Sequence, residues 1–528
     1  MSDLFKDVFR QVSKSAVPAI FVLGMTGLYL DADAYEADAA QRALAAERYA
    51  QWSQEDKSIG ERLQDLAKKH GQPNILFILG DDIGWGELGS YGGGKLRGTP
   101  TPNLDKLAED GMRFLQHYSE PSCTVTRVAL MTGRLPVRTG VDNVLFPGNP
   151  KGLVRDEKTI AEVLSEAGYA TAMFGKWHLG ESAEHQPTNQ GFDYALYGMY
   201  NGGVWPWLEN LEYFNKENET IGEIPYTLDM PGDYEDQFNI TIHGVQESYK
   251  GGTPREIGKL TLERYNRHDN ELTDKLLDFI EDNHKAGKPF FAYFATNAQQ
   301  VFACPPEERH AKYVDSANCQ AAQIFQHDKN VKRLREKLEQ LEIAENTLVV
   351  WASDNGPMYS FYPSAGFSYL RGRKHEVQEG GVRTPAIAWW PGMIAPGSEP
   401  LDLVHVTDWF TTIAGIAGAQ ANIPGDRIID GVNQTSLLIN GEGYSRRNYL
   451  FHYKYSVFGT GLGTRLEAVR WNDIKLYPNK MEVFNIMRDP NEMHSDRRQY
   501  LWVIEPLRQL MSNHLKMMEK FPNRKLEF

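Results

Sequence analysis

Asn74-Ile75-Leu76-Phe77-Ile78-Leu79-Gly80-Asp81-Asp82 is the stretch that decides the fold. From Ile75 to Leu79 every side chain is apolar. A strand that is apolar on both faces belongs in the middle of a parallel sheet covered by helices on each side. The run ends on a glycine and two carboxylates, and in such sheets the active site lies beyond the carboxyl ends of the strands. Further along, helix and strand signals alternate. Thr101-Pro102-Asn103-Leu104-Asp105-Lys106-Leu107 starts a helix that Gly111 stops, and Met112–Tyr118 follows as a strand. A helix begins just after Cys123, and Thr159-Ile160-Ala161-Glu162 is a capping box for another that stops at Gly168. Strand Tyr169–Phe174, helix 271–284 with Gly287, and strand Phe290–Ala295 continue the pattern. Val331, Leu334, Leu338 and Leu341 have helical spacing before strand Thr347–Ala352. The alternation predicts an α/β fold: a mostly parallel sheet flanked by helices. The tail differs. Arg447–Tyr453, Leu466–Trp471, Ile474–Tyr477 and Glu482–Ile486 predict a small antiparallel sheet, followed by a helix near 501–519.

Composition sets limits on function. The chain has 528 residues, and 56 basic against 70 acidic side chains give a net charge of −14. Such a balance excludes a chain built to coat nucleic acid. Apolar residues at 41% and charged residues at 24% exclude disorder, collagen and coiled-coil arrays. Three cysteines exclude a disulfide scaffold but leave room for one bridge and one odd thiol. Ala16–Leu30 is an apolar run behind Lys6, Arg10 and Lys14, with Ala32-Asp33-Ala34 as a small-residue cleavage pattern. The run suits a secretory signal better than a spanning helix, which needs about 20 residues. An uncleaved membrane anchor or a buried helix is the alternative, and Asp3 and Asp7 count against export. The resulting division is 1–34 signal or anchor, 35–72 helical extension, 73–420 catalytic domain and 421–528 C-terminal subdomain. The expected location is exported, periplasmic or secreted. Residues 197–260 are rich in Gly, aromatics and acids without periodicity, as in an insertion near a substrate mouth. Trp205, Trp207, Tyr213 and Phe214 there are either an apolar wall for a leaving group or plain core.

Several chemical groups fall at predicted strand ends. Asp81-Asp82 ends one strand and Ser353-Asp354-Asn355-Gly356 another. Three carboxylates and one amide oxygen suit a hard cation, Ca²⁺ or Mg²⁺, and not zinc. Asp-Asp alone would be a cap or a turn. Cys123 sits at a predicted helix start with Arg127 one turn on, where a thiol's pKa falls. The alternative is a small buried cysteine. Lys176 and His178 share a face if their strand continues; otherwise they are a surface lysine and a core histidine. Arg373-Lys374-His375 in a Gly-rich loop would ordinarily be a solvated basic patch.

Asn74–Gly86, Cys123–Arg134, Gly175–Gly180, Ser353–Gly356 and Lys374–Pro385, in that order, resemble the type I sulfatases of the alkaline phosphatase superfamily. The resemblance runs from about Pro73 to the tail and includes Gly380–Pro385 and Phe484–Asp489. It implies that Asp81, Asp82, Asp354 and Asn355 hold one divalent cation, usually calcium, with Cys123 beside it as a further ligand. Cys123 would be oxidised to formylglycine by a formylglycine-generating enzyme, and the hydrate's hydroxyl would be the nucleophile. Arg127 would steady that residue. Lys176 and Lys374 would contact sulfate oxygens, and His178 would take the hydrate's proton and expel sulfate. A single-cation ligand set also differs from the two-zinc phosphatase branch. Two positions depart from the family. Val125 stands where the motif has proline or alanine, and Gln300 stands where a histidine is usual. Glutamine donates a hydrogen bond but cannot protonate a leaving group, which would leave that work to Lys374 or to a phenol-like leaving group. The implied function is hydrolysis of small sulfate esters, arylsulfatase-like. The alternatives are a phosphonate monoester or phosphodiester hydrolase, and a catalytically silent binder of sulfated ligands. If the chain is exported, Cys304 and Cys319, 15 residues apart, are expected to form a bridge, leaving Cys123 as the odd cysteine.

Overall fold

The computed structural model of the protein describes residues 39–200, 244–298, 304–316, 318–358, 366–455 and 463–524. Fifteen strands are described: β1 Asn74–Gly80, β2 Met112–Phe114, β3 His117–Tyr118, β4 Ala170–Lys176, β5 Tyr194–Gly198, β6 Gln246–Tyr249, β7 Arg255–Glu256, β8 Phe290–Ala295, β9 Thr347–Ser353, β10 Ala386–Trp389, β11 Val404–His405, β12 Tyr449–Lys454, β13 Arg465–Trp471, β14 Ile474–Tyr477 and β15 Glu482–Asn485. The helices used below are α1 Ala39–His70, α2 Pro102–Glu109, α3 Cys123–Thr132, α4 Ile160–Glu166, α5 Leu262–Tyr265, α6 His268–Ala286, α7 Cys319–Gln340, α8 Asp408–Ile416 and α9 Leu501–Lys520.

Nine strands form one sheet in the order β2-β10-β9-β1-β8-β4-β5-β6-β7. The five central strands, β9 to β5, are parallel, and the strands at both edges run antiparallel. β1 lies at the heart of the sheet and is buried at all seven positions, which is why its sequence is apolar on both faces. Helices cover the two faces differently. Phe77 and its register partner Tyr293 point to one side, where Trp409 of α8 meets Phe77 edge-on at 5.8 Å and α3 packs on α8. Phe294 and Trp351 point to the other, where His327 of α7 accepts from the Trp351 indole at 2.8 Å. α6 packs against α7 on that second side, and its Phe279 meets Phe174 of β4.

The expected strand Met112–Tyr118 is two strands. β2 pairs with β10 in the large sheet, whereas β3 pairs with β11 in a sheet of two. At the break, the Leu115 carbonyl accepts from the guanidinium of Arg383, so it is not available to a ladder. β12–β15 form the antiparallel C-terminal sheet. Leu476, Val483 and Val469 of that sheet pack with Val503 and Leu507 of α9, and Val125 of α3 joins the same cluster. Among the described residues, no helix is long and apolar enough to cross a membrane. The apolar run Ala16–Leu30, Gln300, and the aromatics Trp205, Trp207, Tyr213 and Phe214 lie outside the described residues.

Candidate active site

β1 and β9 are neighbours in register, Gly80 opposite Ser353, so the two acidic strand ends leave the sheet side by side. The Asp354 amide donates to the Gly80 carbonyl at 3.0 Å, and the Ser353 hydroxyl oxygen accepts from the Ile83 amide at 3.0 Å. Asp82 adopts a left-handed φ of 60°, which bends the chain so that its amide donates to Asp354 Oδ1 at 3.1 Å. Such a backbone is costly for a non-glycine residue and marks functional sites. Gly356 closes this end of β9, where an added Cβ would lie 1.9 Å from the Gly380 carbonyl oxygen.

Asp81, Asp82 and Asp354 each bring a carboxylate oxygen to within 4.8 Å of the others, and all three are buried. Asn355 Nδ2 donates to Asp82 Oδ1 at 2.7 Å and to the Gly356 carbonyl at 2.8 Å, which turns its own Oδ1 the other way. Asp81 Oδ1 and Asn355 Oδ1 are buried and, among the described residues, accept no hydrogen bond. Buried oxygens without a partner are costly. A hard cation satisfies such oxygens, so this donor set fits calcium or magnesium and does not fit zinc.

Three cations face the three carboxylates. Lys176 Nζ lies 2.7 Å from Asp81 Oδ2, Lys374 Nζ lies 2.6 Å from Asp82 Oδ1, and Arg127 donates to Asp354 Oδ2 at 2.9 Å. Arg127, fully buried, also donates to the Lys176 carbonyl at 2.8 Å and to the Tyr293 hydroxyl at 3.3 Å. Burial pushes the Asp81 carboxyl up, but Lys176, Arg127 and Lys374 outweigh it and hold it at about 2. Burial, and then the neighbouring Asp81 charge, push Asp354 up to about 8. Burial works against the charged form of Lys374, yet Asp82 holds its ammonium above the usual lysine range. Lys374 is therefore not in a solvated patch: it is 8% exposed and belongs to this centre.

Cys123 is the first residue of α3 and is buried. Lys374 and Arg127 both lie within electrostatic reach of its sulfur. The Thr126 hydroxyl donates to the Asp354 carbonyl at 2.6 Å and ties the start of this helix to the acidic cluster. Val125 points away from the site into the core of the C-terminal sheet. The strand carrying Lys176 ends there, so Lys176 and His178 do not share a strand face. His178 takes a φ of 62°. Its Nε2 is 2.8 Å from the Leu145 carbonyl, an acceptor, so the proton of the neutral ring sits on Nε2. Burial and then Lys176 push His178 well below the usual histidine range, and its Nδ1 is buried with no partner among the described residues.

Thr126 and Ser353 lie within the quoted motifs, but their own parts, and that of Tyr293, depend on neighbours more than 150 residues away in sequence. Cys304 and Cys319 are joined in a disulfide with Cα atoms 4.5 Å apart, which leaves Cys123 as the free cysteine.

The family described as Sulfatase matches residues 73–419. N-acetylgalactosamine-6-sulfatase of Canis lupus familiaris is 34% identical over 401 residues, covering 72% of this chain and 68% of that protein. Arylsulfatase A of Homo sapiens is 36% identical over 391 residues, covering 72% and 70%. Among solved structures, PsFucS1 sulfatase from Pseudoalteromonas sp. superposes with a TM-score of 0.79 at 30% identity, covering 90% of this chain and 96% of that one. The phosphonate monoester hydrolase of Agrobacterium radiobacter, at 16% identity and a TM-score of 0.55, shares the fold alone. With relatives this similar over most of its length, the chain belongs to the type I sulfatases of the alkaline phosphatase superfamily and is a sulfuric ester hydrolase.

Proposed function

We propose that this sulfatase works through a formylglycine at position 123 and one divalent cation, calcium with magnesium as a substitute, held by Asp81, Asp82, Asp354 and Asn355. The observation that carries the cation is the buried Asp81 Oδ1, which has no hydrogen-bond partner among the described residues, beside the carboxylates of Asp82 and Asp354. Charge counting supports it. Three carboxylates against Lys176, Lys374 and Arg127 sum to zero, so a divalent ion leaves the centre net positive, which attracts an anionic ester. When bound, the cation supplies fixed positive charge to the sulfate oxygens. Formylglycine, installed by a formylglycine-generating enzyme, supplies a hydroxyl nucleophile at the start of α3.

The chain's own residues carry the rest. Lys176 and Lys374 offer ammonium donors to sulfate oxygens around the acidic cluster. Arg127 fixes the first turn of α3 against Asp354 and the Lys176 carbonyl. His178, kept neutral by burial and Lys176 and anchored through Nε2 to Leu145, offers the lone pair of Nδ1 to a proton from position 123. The substrate is a small sulfate ester, aryl or sugar, as the names of the relatives allow. We further propose that the chain is exported by residues 1–34, whether cleaved or kept as an anchor. The Cys304–Cys319 bridge supports an oxidising compartment. Residues 73–420 then form the catalytic domain and 421–528 its C-terminal subdomain.

The test is a rate comparison on 4-nitrophenyl sulfate, N-acetylgalactosamine 6-sulfate, a phosphodiester and a phosphonate monoester, with and without EDTA. Sulfate esters should turn over fastest, chelation should abolish turnover, and calcium or magnesium should restore it. The Cys123 peptide of the active protein should weigh less than its cysteine form. Faster phosphodiester or phosphonate turnover, full activity in chelator, or an unmodified Cys123 in active protein would each overturn the matching part.

A further inference from the structure

Breaking a sulfate ester leaves both electrons of the S–O bond on the departing oxygen. An alkoxide or phenoxide left there without a donor raises the barrier, most of all when its parent alcohol is weakly acidic. Around the acidic cluster Lys176, Lys374 and Arg127 are engaged with carboxylates, and His178 is turned to accept a proton. Among the described residues, the Tyr265 hydroxyl is a neutral donor within electrostatic reach of the same cluster. The Tyr265 hydroxyl is buried and, among the described residues, has no hydrogen-bond partner, although its residue is only 3% exposed. A hydroxyl buried without a partner is expensive and needs an explanation.

The surroundings of Tyr265 are built. It is the last residue of α5, directly before α6. One turn on, Asp269 accepts from the Thr296 hydroxyl, from the Asn297 amide at 3.0 Å and from Asn297 Nδ2 at 3.1 Å. These residues follow β8, so Asp269 pins the carboxyl end of that strand. Asn266, next to Tyr265, accepts from the Cys304 amide at 2.6 Å through Oδ1, and its carbonyl accepts from Gln326 of α7 at 3.0 Å. Cys304 is itself bridged to Cys319 at the start of α7. The short segment from Tyr265 to Asp269 thus clasps both ends of the stretch from Thr296 to Cys304. Leu272, two turns past Tyr265, packs where β4 and β8 end: a Cβ on Gly175 would lie 3.5 Å from it and 1.9 Å from the Ala295 carbonyl oxygen. Gly175 immediately precedes Lys176. Asp269, Asp81 and Asp82 all lie within electrostatic reach of the Tyr265 hydroxyl.

The two sides of the sheet complete the argument. Position 123 is delivered by α3, from the layer that covers Phe77 and Tyr293, whereas Tyr265 leads into α6 of the opposite layer. Displacement at sulfur is in line, so a nucleophile arriving from one layer needs its leaving group on the other. We propose that the Tyr265 hydroxyl donates a hydrogen bond to the departing ester oxygen. The S–O bond breaks, its electron pair stays on that oxygen under the phenol's hydrogen, and the alcohol's final proton comes from water. This rests on the reaction centre proposed above.

The experiment is Tyr265→Phe, which removes one oxygen, assayed as kcat/KM on 4-nitrophenyl sulfate, phenyl sulfate and N-acetylgalactosamine 6-sulfate. The order is one of decreasing leaving-group acidity. The loss should grow along the series, from a few-fold on the nitrophenyl ester to roughly 10- to 100-fold on the sugar ester. The slope of log rate against leaving-group pKa should steepen. An equal loss on all three esters, or no loss, overturns the proposal. If the wild-type protein turns over none of them, the reaction centre fails first and the proposal falls with it. A second measurement does not depend on turnover. With 3-fluorotyrosine at 265 in Cys123→Ala protein, the fluorine resonance should move on saturation with N-acetylgalactosamine 6-sulfate, and an unmoved resonance overturns the proposal as well.

Discussion

Arg127→Met tests whether a cation shares Asp354. Arg127 has no exposed surface, and its guanidinium serves Asp354 Oδ2, the Lys176 carbonyl and the Tyr293 hydroxyl. Methionine keeps much of its length without charge or donors. With chelator present, the change strips a buried carboxylate of its counterion, a loss of about 3–5 kcal/mol from a stability of about 5–15 kcal/mol. Asp354 has one escape, protonation, and its carboxyl is already held at about 8 by burial and Asp81. Removing Arg127 raises it further, so the penalty should be smaller at pH 6, where the group is neutral in both proteins, than at pH 9. With calcium present the ion compensates Asp354. The penalty should shrink to the two lost hydrogen bonds, about 1–2 kcal/mol. The assay is the urea midpoint by tryptophan fluorescence, in EDTA and in calcium chloride. An equal penalty in the two solutions would refute a cation that shares Asp354. The absence of a penalty in EDTA at pH 9 would refute the buried-charge reasoning itself.

Two other outcomes are expected. Glu120 is buried, accepts from the Tyr455 hydroxyl at 3.1 Å, and is pushed up to about 8, mainly by burial. Its folded pKa lies above the unfolded value, so its contribution is full below about pH 4 and is lost as pH rises through about 8. Glu120→Gln keeps the shape without the charge, so its Tm should exceed wild type at pH 9 and lose that advantage by pH 5; a constant difference would contradict this. Val125→Pro places proline in the first turn of α3, where it is tolerated, at a cost of about 1–2 kcal/mol in lost packing. The converted fraction of residue 123, read by peptide mass, should rise, and an unchanged fraction would show that Val125 does not limit maturation.

What the sequence disclosed and what it hid divide along the distance between partners. The apolar run of β1 and the acidic ends of β1 and β9 are local patterns, each written in fewer than ten consecutive residues, and they locate both the sheet and the edge that carries the candidate site. The break between β2 and β3 was hidden because the agent that takes the Leu115 carbonyl, Arg383, lies 268 residues on. Lys374 looks like a solvated cation for the same reason, since the Asp82 carboxylate that buries it is 292 residues earlier. Lys176 and His178 suggested strand alternation, but the strand stops at Lys176 and a left-handed turn presents the imidazole.

Val125 and Tyr265 show two ways in which a site departs from its local pattern. Read as a sequence, Val125 is a mismatch in the stretch around Cys123. In the folded chain it is a core residue of the C-terminal sheet, packed among Phe451, Tyr453 and Val469. The proposed nucleophile position and this core residue are therefore two apart on one helix turn. Under the proposed mechanism, a change at 125 made for maturation would also act on packing, and a change made for packing would act on maturation. Tyr265 is the converse. Nothing in its neighbourhood of sequence is distinctive, yet its hydroxyl is buried and, among the described residues, unpartnered, close to the anchors of Asn297 and Cys304. Asp269, Asn266 and the Cys304–Cys319 bridge are those anchors. Rigidity of that kind has a use when one atom must meet another at hydrogen-bond distance in a transition state, and the departing oxygen of a sulfate ester is the atom in this reaction that needs such a donor.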